Sequence, residues 1–183
     1  NLVASPRNPR TICTNSKGTE MKRLILMRHA KSDWSAGISS DHDRPLNPRG
    51  RRAAAALGDW LRDMDLAPDQ VLSSSSVRTR ETIVRLDLAP GTDVQFDRNL
   101  YLADQMTILH ALRAARGETV LMLGHNPGIG VFAETIVSAS PAHPQFRQYP
   151  TGATLVADFG IDDWGQADWG LANARHFVVP RAL

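Results

Sequence analysis

The chain has one cysteine, Cys13, in 183 residues, which excludes an internal disulfide and makes a reducing, cytoplasmic setting the expected one. It has no apolar run of membrane-spanning length and no apolar stretch of a secretory signal, so no membrane partner is expected. A strong charge of one sign is also missing. The 21 Lys and Arg stand against 19 Asp and Glu, a net +2, too slight for the dense basic stripe of a nucleic-acid binder. No nucleic-acid partner is therefore expected, and any positive field should be local. Neither His-Glu-x-x-His nor paired-cysteine spacing occurs, so the usual zinc signatures are absent. There is no internal repeat.

What remains is enough to bury one core, with 42% hydrophobic and 22% charged residues. Residues 1–20 are rich in Ser, Thr, Asn, Arg and Pro without helical or strand period, and are expected to form a poorly ordered N-terminal extension. Their Arg-rich, acid-poor character has a faint likeness to a transit peptide, but no amphipathic helix accompanies it. Residues 21–183 are expected to form a single domain. In it, apolar strands alternate with helical patterns. Strands are expected at Leu24–Met27, Val71–Ser73, Val94–Phe96, Val120–Leu123, Ala153–Ala157 and Phe177–Val179. Helices are expected from Pro48, capped by Asn47, to Met64, over Val77–Leu86, from an Asp104 cap to Arg116, and from Gly128 to Val137. This alternation predicts a three-layer α/β/α domain with a largely parallel sheet and an antiparallel edge strand.

His29 and His125 each follow a buried strand, Leu24–Met27 and Val120–Leu123. The carboxyl ends of strands form the ligand crevice of an open α/β sheet, so two such histidines could converge there. One histidine at such a place is more often structural; two together point to chemistry. Arg28 adjoins His29, and Arg78 lies just beyond the strand-to-helix turn of Ser73 to Ser76. A guanidinium matches phosphate oxygens with paired, charge-assisted hydrogen bonds. Arg28, directly after a buried strand, is costly unless it meets an anion or an acid. Arg49, Arg51, Arg52 and Arg80 read as solvated surface residues.

Four segments in order carry a family resemblance. Arg28-His29-Ala30 resembles the Arg-His-Gly signature of the histidine phosphatase superfamily, with alanine in place of glycine. Pro45-Leu46-Asn47-Pro48-Arg49-Gly50 resembles its Pro-Leu-Thr-x-x-Gly segment, Ser74 to Thr82 its Ser-x-x-x-Arg-x-x-x-Thr segment, and Gly124-His125-Asn126-Pro127 its second-histidine motif. The wording Arg28-His29-Ala30-Lys31-Ser32 is most similar to the SixA-type phosphohistidine phosphatase branch. The resemblance implies a phosphoglycerate-mutase-like fold and a metal-independent, cofactor-free phosphatase. His29 would be the nucleophile, and Arg28, Arg78 and His125 would hold the phosphoryl oxygens. It further implies a phosphorylated protein or a small phosphorylated metabolite as partner.

Many members of that superfamily place a glutamate, the leaving-group acid, in the segment matching Arg98-Asn99-Leu100-Tyr101. Here Asn99 stands where an acid is expected, and asparagine donates no proton to an alkoxide. Asp43, Glu81, Asp97 and Asp104 are alternatives, each also readable as a cap or a solvated carboxylate. A missing acid suits a P–N substrate such as phosphohistidine. The rivals are a metal hydrolase using His29, His125 and Asp41-His42-Asp43, a phosphoglycerate-mutase-like transferase or small-molecule phosphomonoesterase, and a non-catalytic phosphate-binding module. The mutase normally carries a larger insert after the second strand. Among four tryptophans, Trp60 is expected in the core, packing is the first reading for Trp164 and Trp169, and Trp34, shortly after His29, is expected to wall the substrate site.

Overall fold

A computed structural model describes residues 21–35 and 37–183; the extension expected at residues 1–20, with Cys13, lies outside the described residues. Six strands form one sheet: β1 (Lys22–Arg28), β2 (Gln70–Ser74), β3 (Asp93–Asp97), β4 (Thr119–Gly124), β5 (Thr154–Phe159) and β6 (Asn173–Val178), in the order β3-β2-β4-β1-β5-β6. The first four pair in parallel, whereas β5 runs antiparallel to β1 and β6 antiparallel to β5.

Successive strand residues point to opposite faces, and the core divides accordingly. Leu24, Leu26, Val120 and Met122 belong to one apolar cluster with Leu109, Leu112, Phe132 and Ile136, contributed by α3 (Gln105–Arg113) and α4 (Gly128–Ile136). Their neighbours Ile25, Met27, Leu121 and Leu123 pack with Leu57, Leu61, Ile83 and Leu86 of α1 (Pro48–Asp63) and α2 (Val77–Leu86) on the other face. Continuous apolar runs in β1 and β4 are what a sheet covered on both sides requires. The three-layer α/β/α architecture with a largely parallel sheet expected from the sequence is the one adopted.

The helix starts follow capping chemistry: Asn47 accepts from the Gly50 N–H and Asp104 from the Thr107 N–H. One boundary differs. Helix α3 stops at Arg113 rather than Arg116, because Gln70 on β2 takes the Arg116 and Gly117 N–H groups at 2.8 and 3.1 Å and draws the chain out of the helix. Strand β3 is exposed along its length, and the Arg80 guanidinium lies 4.0 Å above the Phe96 ring, screening that open edge. Trp164 is a core residue whose indole N–H donates to the Gly117 carbonyl at 2.7 Å. Trp60 and Trp169 pack at the margins of the two clusters.

Candidate active site

Strands β1 and β4 are adjacent, parallel and in register, with Arg28 opposite Gly124. The next residue of each chain is therefore His29 and His125, side by side at the carboxyl edge, with ring centroids 5.0 Å apart. Strand β2 flanks β4 on its other side and leads into the first turn of α2, which carries Arg78 into the same edge. Its guanidinium is 2% exposed, and Nη2 donates to Nδ1 of His125 at 3.2 Å. Arg28 donates from Nη1 to the Tyr149 carbonyl at 3.0 Å. That carbonyl also accepts from the Asn126 amide, and Tyr149, which has a left-handed backbone conformation, donates its buried hydroxyl to Leu26 O at 2.7 Å. The Nε donors of both arginines are buried without a hydrogen-bond partner among the described residues.

The hydrogen bonds settle the histidine tautomers. Nδ1 of His29 lies 2.7 Å from the Ala30 carbonyl, which can only accept, so Nδ1 carries the proton and Nε2 keeps its lone pair. At His125 the roles are reversed. An arginine only donates, so Nδ1 accepts from Arg78 and Nε2–H donates to the Ser74 hydroxyl at 2.8 Å. Burial, aided by the charges of Arg78, Arg28 and Arg44, pushes His29 down to about 3 despite the opposing Ala30 bond. Burial, His29 and Arg78 push His125 down to about 2. Both imidazoles are neutral at pH 7.

The loop after His29 is locked to the start of α1. Asn47 N–H donates to the Lys31 carbonyl at 3.0 Å, Ser32 bridges to Leu46, and a Cβ on Gly50 would come within 2.0 Å of that same carbonyl. Only glycine permits this approach. Glu81, on α2, accepts from the Leu46 N–H at 2.5 Å and from Arg51 at 3.2 Å, so it ties the two helices together. Asp97 accepts from the Asn99 N–H, Asp104 caps α3, and Asp43 pairs with His42 at 3.1 Å. Asn99 is exposed in the turn Arg98–Leu100.

The rival metal set is not assembled: among the described residues no three His, Cys, Asp or Glu side chains gather as a metal site. Asp41 instead accepts from Arg44, Arg78 and Tyr101. Those three contacts were not legible in the chain, although each residue lies within or next to a motif segment. Trp34 is 82% exposed and lies beneath the Arg44 guanidinium, 3.6 Å from its ring centroid, and Arg44 also donates to the Ser32 hydroxyl. The Ile129 N–H is committed to the His125 carbonyl at 3.0 Å.

A family model of the histidine phosphatase superfamily (branch 1) matches residues 24–101, the stretch that carries His29 and Arg78. A structure from Nakamurella multipartita, of a candidate phosphohistidine phosphatase SixA, is 30% identical with a TM-score of 0.77, over 87% of this chain and 96% of that one. The chain belongs to the histidine phosphatase superfamily. Within the superfamily it is of the SixA type, and it is a phosphatase. A second candidate SixA, from Agrobacterium tumefaciens, is 28% identical with a TM-score of 0.70, over 87% of this chain and 98% of that one. An uncharacterised protein of Mycobacterium tuberculosis is 34% identical over 163 residues, 85% of this chain and 100% of its own length. Among the described residues of this superfamily member, no helix is long and apolar enough to cross a membrane.

Proposed function

We propose that this phosphatase works through a phosphohistidine formed at Nε2 of His29 and acts on protein phosphohistidine in the cytoplasm, without a metal or other cofactor. The observation that carries the reading is the His29 tautomer: Nδ1–H is bonded to Ala30 O at 2.7 Å, so the neutral ring offers an Nε2 lone pair beside Arg28, Arg78 and His125. The lone pair attacks phosphorus, the leaving group departs, and water then releases phosphate from the ring. Arg28, Arg78 and His125 bind the phosphoryl oxygens and stabilise the charge that a metal would otherwise balance. The unpartnered Nε donors of Arg28 and Arg78 support an anion as the natural occupant of this edge. Trp34 forms an outer wall and braces Arg44.

A phosphohistidine substrate is supported by the two SixA-type relatives and by the chemistry of the edge. Asp97, Asp104 and Glu81 hold backbone N–H groups, Asp43 pairs with His42, and Asn99 takes the place of the acid, so none of these candidates among the described residues is free to serve as a dedicated proton donor to an alkoxide. The link from β2 to β3 consists of Ser75, Ser76, α2 and residues 87–92, leaving no insert to enclose a small acid. The test is a panel of phosphohistidine peptide, phosphoserine peptide, sugar phosphates and para-nitrophenyl phosphate, with and without EDTA. Phosphohistidine should turn over far faster than the alkyl esters, because a general acid contributes about 10²- to 10⁴-fold. Equal rates on serine phosphate, or loss in EDTA restored by a stoichiometric metal, would refute it.

A further inference from the structure

Asp41 begins the short turn Asp41–Asp43, and its carboxylate is the meeting point of three side chains. Oδ1 accepts from Nε and Nη2 of Arg44 at 3.2 and 2.7 Å. Oδ2 accepts from Nη2 of Arg78 at 3.0 Å and from the Tyr101 hydroxyl at 2.6 Å. Arg78 also donates from Nη1 to the Asp41 carbonyl at 2.5 Å. The same Nη2 that meets Asp41 meets His125, and the Tyr101 ring stands edge-on to His125 and to His42 at 5.3 and 4.9 Å. A carboxylate therefore stands one guanidinium away from the paired histidines.

The Tyr101 hydroxyl, with help from Arg44 and Arg78, holds the Asp41 carboxyl well below the usual carboxylate range. It is an acceptor at pH 7 and no proton donor. Arg44 and Arg78 pair with this carboxylate, and a substrate that brings a cationic donor to it gains where a bare phosphate ester does not. A phosphoimidazole ring protonated on the nitrogen remote from phosphorus is such a substrate, since it presents a cationic N–H donor.

Resting on the phosphohistidine reading above, we propose that Asp41 is a specificity-determining residue that accepts the ring N–H of a phosphoimidazolium substrate on Oδ1, in place of the long 3.2 Å bond from Arg44 Nε, and so selects P–N substrates that bring their own leaving-group proton. In the transfer step Nε2 of His29 forms the new N–P bond. The substrate's P–N bond breaks with its electron pair returning to the ring, which departs as neutral imidazole with its remote N–H retained. No proton changes hands, so no general acid is required. An alkyl phosphate offers Asp41 no donor, and its alkoxide leaves unassisted.

The full-length protein is assayed on N-phosphoimidazole and on para-nitrophenyl phosphate, and the ratio of the two kcat/KM values is read. Both rates come from one preparation, so the ratio does not depend on the fraction correctly folded. Asp41→Asn should lower the ratio at least about tenfold, the worth of one charge-assisted hydrogen bond, and Asp41→Glu, which keeps the carboxylate, should restore part of it. A ratio unaltered in Asp41→Asn would reduce Asp41 to a support for Arg78 and overturn the proposal while leaving the phosphohistidine reading intact. If the unmodified protein turns over neither N-phosphoimidazole nor a phosphohistidine peptide while hydrolysing the ester, the functional reading itself fails.

Discussion

Binding of tungstate, a dianion in the neutral range, should draw a proton out of solution. In the free protein His125 is pushed down to about 2 by burial, His29 and Arg78, and His29 to about 3 by burial and three arginine charges. One unit charge about 4 Å away, at an effective dielectric near 20, contributes roughly 4 kcal/mol. A dianion therefore contributes about 8 kcal/mol, and because about 1.4 kcal/mol moves a pKa by one, this is close to six decades. That is enough to bring a neutral imidazole of the pair above pH 7. The second ring lies only 5.0 Å from the first, so the charge gained by one opposes protonation of the other, and the pair should take up about one proton in all. Either ring can then donate to the anion: His29 from Nε2, or His125 from Nδ1 once Arg78 turns its Nη2 to the anion. The assay is titration calorimetry at pH 7.5 in buffers of different ionisation enthalpy, whose slope counts the protons. No uptake would mean that neither ring answers the anion, which would refute the reasoning. Uptake of nearly two would mean that His29 is not kept neutral as a nucleophile must be.

Brief exposure to a labelled phosphoryl donor should leave an acid-labile, base-stable phosphate on the protein, and His29→Ala should abolish it; label persisting in that variant would reassign the nucleophile. Acid should weaken the fold through the same rings. Their folded pKa values of about 3 and about 2 lie below the unfolded value near 6.5, so the stability they contribute is complete above that value and is lost as pH falls toward 3. The melting temperature of His125→Gln should decline less steeply over that window than that of the unmodified protein, and parallel curves would refute the assignment. Gly50→Ala should destabilise by about 1–3 kcal/mol, since a methyl 2.0 Å from the Lys31 carbonyl must push that backbone aside. Because Lys31 lies two residues from His29, kcat should fall with it, and an unaltered melt would refute the packing argument.

The alternation of apolar strands with capped helices determined the α/β layering, because periods of 2 and 3.6 residues are local properties of the chain. The continuous apolar runs of β1 and β4 marked a sheet covered on both faces, and Asn47 and Asp104 marked helix starts by capping N–H groups three residues on. His29, His125, Arg28 and Arg78 were legible as candidates because each stands at the end of a strand or the start of a helix, where chain order alone predicts the ligand edge. The end of α3 was not legible, since Gln70, 46 residues away, takes the Arg116 N–H. Nor was the Asp41 cluster, whose partners Arg78 and Tyr101 are 37 and 60 residues distant. Sequence spacing says nothing about side chains brought together from separate loops. Only the in-register pairing of β1 with β4 set the two histidines at 5.0 Å, and only the packed loops decided which ring nitrogen keeps its lone pair.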